Sequence, residues 1–190
     1  MNDIDQRLEM ILPVLMGREF ERGARRGSEL PFYVFDYDPE DELKIREHVA
    51  YLEKQLPIRK PGYRMKAVNL FTFLVEFLKS PEEDLLNAVF EMQKRQGDEA
   101  VLKALNGVLN EITVPLLRLV EPTNCDCVLL HGVGSAYPLL RSHSILSRLE
   151  NQLVDLPVVL FYPGRYNGHT MDLFNRISPE GHYRAHRLIP

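Results

Sequence analysis

Two aspartates one residue apart, Asp36 and Asp38, follow the apolar run Phe32-Tyr33-Val34-Phe35. At the carboxyl end of a buried strand, that spacing suits an aspartate-nucleophile phosphatase. One carboxylate attacks phosphorus, the other handles the proton, and further acids hold Mg²⁺. A later strand end should supply those acids, yet Phe161-Tyr162-Pro163-Gly164-Arg165 offers none. Asp38 also has a simpler explanation, because Pro39 and Asp41 follow it as a proline and an acid follow a helix N-cap. The phosphatase stands as a minor alternative.

The second place for chemistry is the turn Gly132-Val133-Gly134-Ser135, set between Leu129-Leu130-His131 and a helix-like stretch with Arg141 and His143. A strand, a glycine turn and a helix N-terminus gather backbone N–H groups where anions bind. Three known motifs fail here. A dinucleotide fingerprint needs glycine where Tyr137 stands, a phosphate loop needs Gly-Lys-Ser/Thr, and a nucleophile elbow needs Gly-x-Ser-x-Gly. A degenerate phosphate- or nucleotide-binding site, made of the Gly132 and Gly134 amides with Arg141, stays as an alternative. A plain tight turn is favoured over it, with a capping or core hydrogen bond for His143.

His182 and His186 have metal-ligand spacing only if they lie on a helix. Residues 183–189 alternate as a strand does, which separates the pair by ~13 Å. No metal and no other cofactor is expected. Cys125 and Cys127, the only cysteines, share one face of an extended strand and read as buried thiols rather than a disulfide or zinc pair. Arg165 and Tyr166 fall in a turn-rich loop, while Arg184 and Arg187 fall on opposite faces of an edge strand. Arginine and tyrosine are enriched at interfaces, so these four are candidates for partner contact.

The elements that must position these groups alternate in kind. Ile4, Leu8, Ile11, Leu12 and Leu15 predict an opening amphipathic helix, perturbed at Pro13, and residues 19–29 read as a loop. Strands are expected at 31–35, 66–71, 125–130, 156–161 and 183–189. A helix through Ile45, Val49, Leu52 and Leu56 follows the first. Another runs from the glycine turn to about Gln152, and a short one passes through Leu173 and Phe174. A capping box at Ser80-Pro81-Glu82-Glu83 and a cap at Asp98 open two more, the second aligned on Val101, Leu105, Val108 and Ile112. The expected fold is a Rossmann-like three-layer α/β domain over residues 1–190. It has a mainly parallel sheet of about five strands, helices on both faces and a helical insertion at about 80–120.

A net charge of −4 argues against a strongly basic nucleic-acid binder. No apolar run reaches the ~18 residues that span a bilayer, and the N-terminus lacks the marks of a secretion signal. A cytoplasmic location is expected.

Several blocks together resemble the BrxB family of bacteriophage exclusion (BREX) defence systems. They are Phe32-Tyr33-Val34-Phe35-Asp36-Tyr37-Asp38-Pro39, then Gly132-Val133-Gly134 with Tyr137-Pro138 and Arg141-Ser142-His143. Pro157-Val158-Val159, Phe161-Tyr162-Pro163-Gly164, Tyr166-Asn167-Gly168 and Tyr183-Arg184-Ala185 with Arg187-Leu188-Ile189 continue the likeness in family order. BREX systems combine a methyltransferase, a large ATPase, the alkaline-phosphatase-like PglZ and accessory proteins. Together they methylate host DNA and block phage replication. The resemblance implies a non-catalytic adaptor that binds other BREX proteins, PglZ first among them. It implies no membrane partner, and nucleic acid only through the complex.

Overall fold

Each periodicity becomes an element by burying one apolar set. The computed structural model describes residues 3–18, 20, 31–79, 85–150, 152–153, 155–177 and 183–189. Helix α1 (Asp3–Met16) buries Ile4, Leu8, Ile11, Leu12 and Leu15 around Pro13. Strand β1 (Phe32–Tyr37) ends at Asp38, which accepts a hydrogen bond from Glu40 N at 3.2 Å and caps a 3-10 turn into α2 (Glu42–Arg59). Strand β2 (Met65–Asn69) passes straight into α3 (Leu70–Leu78), whose first amides, Phe71 N and Thr72 N, donate to Asn69 Oδ1. Then come α4 (Leu85–Gln96), α5 (Asp98–Val108), α6 (Thr113–Val120) and β3 (Cys127–His131). The chain closes with α7 (Val133–Ala136), α8 (Ser142–Glu150), β4 (Val158–Tyr166), β5 (Met171–Leu173) and β6 (His186–Arg187).

The path β2-β3-β4-β1-β6 is parallel throughout, and β5 pairs antiparallel with the end of β4. Strand alternation divides the side chains between two apolar cores. Phe32, Val34, Val128, Leu130, Val158 and Leu160 meet α3, α5, α6 and α8. Phe35, Tyr37, Leu129, Val159 and Phe161 meet α1 and α2 on the other face. Cover on both faces explains why these strands are almost wholly apolar. The three-layer α/β expectation holds.

Local expectations fail where a bend or a close approach intervenes. The helix after the glycine turn breaks, because Tyr137 turns extended (φ −70°, ψ 141°) and Pro138 cannot continue a helix, so α8 starts afresh at Ser142. Residues 171–173 form β5 rather than a helix. Gly164 has no side chain, and a Cβ there would collide with the Asp172 carbonyl, so the backbones can pair. The last strand shrinks to His186–Arg187, although Leu188 N still donates to Val34 O at 2.9 Å. Cys125 and Cys127, free and buried, enter opposite cores, because the chain bends at Asp126, which Arg64 holds by backbone and side chain. Gly97, at φ 82°, takes the cap position assigned to Asp98, and a 3-10 turn after Val108 moves burial to Leu109. The capping box at 80–83, His182, and all of loop 19–29 except Phe20 lie outside the described residues.

Candidate functional site

The carboxyl ends of β1 and β4 lie side by side, where α/β folds place binding groups. There Asp36 is fully engaged. Its Oδ1 accepts from Arg7 Nη2 at 2.8 Å, and its Oδ2 accepts from Tyr166 N at 3.0 Å and lies 3.6 Å from Arg187 Nη1. The carboxylate is only 13 % exposed, a depth at which a charge needs such partners. Arg7 also lies over the Phe35 ring at 4.7 Å. Arg187 donates to the Tyr166 carbonyl and faces its ring at 5.9 Å. Tyr166 OH donates to Ala185 O at 2.7 Å, and burial raises its pKa above the usual phenol value. One cluster thus ties α1, β1, β4 and the β6 segment together. Over it opens a cleft of about 370 Å³ lined by Arg7, Asp36, Asp38, Arg165, Tyr166 and Arg187, among others.

The glycine turn does not line this cleft and is closed. Gly132 has φ +73°, and a Cβ there would stand 2.6 Å from Asn69 Oδ1, the atom that caps α3. A Cβ on Gly134 would stand 2.7 Å from Phe174 Cε1 and 3.2 Å from Pro163 Cγ. The glycines therefore let the turn press against neighbouring elements. Ser135 Oγ accepts from Arg46 Nη2 at 3.0 Å, and Arg46 Nε donates to Glu42 Oε1 at 2.8 Å. A guanidinium cannot take a proton from that hydroxyl. Tyr37 OH donates to Glu42 Oε2 at 2.5 Å, and burial, reinforced by Glu42, pushes this phenol far above its usual range.

Asp36, Arg165, Tyr166 and Arg187 thus come together, whereas the other sequence candidates do not join them. Gly132 and Gly134 form the closed turn. Arg141 lines a separate cavity of about 110 Å³ with Asn110 and Arg148. Arg184 is exposed ahead of β6, and the His143 side chain lies outside the described residues. His186 is exposed and packs its ring 5.8 Å from Tyr33. Among the described residues no group of three or more His, Cys, Asp or Glu is placed to hold a metal ion. Among them, too, no single helix is long and apolar enough to cross a membrane.

Sequence reasoning missed Arg7. The signal was there, because position 7 falls inside the apolar stripe of Ile4, Leu8 and Ile11, where a charge must find a buried partner.

The family model described as BREX protein BrxB matches residues 66–188. A BREX protein BrxB of Bacillus cereus (strain H3081.97) is 33% identical over 195 residues, covering 100% of this chain and 99% of the relative. A BREX protein BrxB of Escherichia coli O9:H4 (strain HS) is 30% identical over 189 residues, covering 98% of this chain and 92% of the relative. No solved structure matches the chain.

Proposed function

Since the chain belongs to the BrxB family of BREX system components, we propose that it serves phage defence as a non-catalytic adaptor. In this reading it holds other BREX proteins together, PglZ first among them, in support of host DNA methylation. The observation that carries the non-catalytic part is the state of Asp36. Both carboxylate oxygens already accept hydrogen bonds from the chain's own groups, and Arg7 and Arg187 neutralise the charge a nucleophile would use. Asp38, the other half of the phosphatase pair, is engaged in capping.

The partner surface is assigned to the carboxyl-terminal third, where Arg165 and Arg184 are exposed. Arg187 and Tyr166 hold the segment that presents them. Mixing the purified chain with purified PglZ in the absence of DNA tests this. A complex is expected, and Arg165→Ala and Arg184→Ala should weaken it without moving Tm. Mg²⁺-dependent phosphatase activity lost in Asp36→Asn would overturn the non-catalytic reading. Retention of an oligonucleotide by the chain alone, falling steeply with salt, would reassign these arginines to phosphates.

A further inference from the structure

Strand β2 forms one edge of the sheet, and among the described residues β3 is its only strand neighbour. The opposite edge, β6, is two residues long, whereas β2 is five residues long. Arg64 turns both backbone groups towards β3: its N–H donates to Asp126 Oδ2, and its carbonyl accepts from Asp126 N. Backbone direction reverses at each residue of a strand, so the N–H and C=O groups of Met65 and Ala67 face away from β3. Such a row is a template for another strand.

An apolar groove of about 460 Å³ wraps this edge, lined by Ala67, Val68, Phe73, Phe77, Pro115 and Leu119. Leu119 is 45 % exposed. Val68 belongs to one core and Ala67 packs on the other, so the groove runs around the edge rather than along one face. His131 on its wall keeps Nδ1 buried with no hydrogen-bond partner among the described residues. Two carboxylates, Glu53 and Glu76, rim the groove. Glu76 has Lys79 at 3.6 Å. Glu53 has no cation beside it among the described residues, and burial raises its pKa.

We propose that the β2 edge docks an extended segment of a partner protein, which adds to the sheet as a strand, apolar over the groove and basic where it passes Glu53. The proposal rests on the adaptor reading above. A second copy of this chain is the poorer occupant, because pairing β2 with β2 about a two-fold axis would bring Glu53 towards Glu53 and Glu76 towards Glu76.

The test uses the complex purified from the chain's own operon. Hydrogen exchange at Met65 and Ala67 should slow in that complex. Ala67→Pro removes one outward N–H, and with Glu53→Lys it should weaken binding about tenfold, the upper range for one lost hydrogen bond. If Ala67→Pro lowers Tm, Glu53→Lys on the exposed helix face decides alone. Wild-type affinity in both variants with unchanged exchange would overturn the docking site and leave the adaptor reading standing. Tighter binding by Glu53→Lys would overturn the basic segment. A dimer of the chain alone, broken by the same variants, would replace the partner with a second copy. No complex with the unaltered chain would overturn the adaptor reading and this proposal together.

Discussion

Asp36→Asn removes the charge on which two guanidiniums and one amide converge, and leaves Arg7, 18 % exposed, without its counter-ion. The expected loss is about 2–4 kcal/mol of stability, between that of a charged hydrogen bond and that of a broken buried pair, and urea denaturation would measure it. The histidines make a separate prediction. Burial lowers the pKa of both His48 and His131, and for His131 the nearby Arg46 and Glu42 act in opposite directions. The unfolded chain then takes up protons first, as pH falls through about 6.5. Stability should be complete above that pH and decline below it until the lowered folded-state values are reached. Replacing both with glutamine should flatten the slope in denaturation curves taken across that range, and equal slopes would contradict it. At this scale the cap at Asp38 was legible because Pro39 announces it. The partner of Arg7 was not legible, because Asp36 lies 29 positions away and only the fold brings them together.

Asn69 joins two elements, capping α3 and filling the space that Gly132 leaves open. Asn69→Ala should cost about 1 kcal/mol, the usual worth of a cap. In a domain of this size that lowers Tm by roughly 2–4 °C, and Asn69→Asp should restore most of it. Gly132→Ala should cost more, about 1–2 kcal/mol, since the positive φ and the contact with Asn69 act together; a Tm equal to that of the unaltered chain would contradict the tight-turn account. Elements built on long apolar periods were legible: α1, α2 and the strand at Phe32 lie where their spacing placed them. The strand at Val158 runs on to Tyr166, because β1 and β5 pair with that stretch, so Arg165 and Tyr166 stand on β4 and not in the expected loop. Elements decided by contacts distant in sequence were not legible. β5 depends on Gly164 meeting Asp172, and the two cysteines part because Arg64 bends the chain at Asp126. Local pattern carries no record of either contact.

At the scale of the molecule, one sheet end gathers Asp36, Arg165, Tyr166 and Arg187, and among the described residues one sheet edge lies open along β2. The first is a closed charge cluster with exposed arginine nearby, and the second is an apolar groove with acid at its rim. Both suit a protein that works by being held. Family membership was legible from blocks spread along the chain, whereas the cavity that Arg141 lines with Asn110 and Arg148 was not, since those partners lie far from it in sequence. The non-catalytic adaptor reading is the central claim, and equilibrium binding to purified PglZ without DNA, read alongside phosphatase turnover with Mg²⁺, tests it most directly. A saturable complex, weakened by Arg184→Ala and accompanied by no turnover from this chain, is the predicted result. Absence of any complex with PglZ, or hydrolysis that Asp36→Asn abolishes, would contradict it.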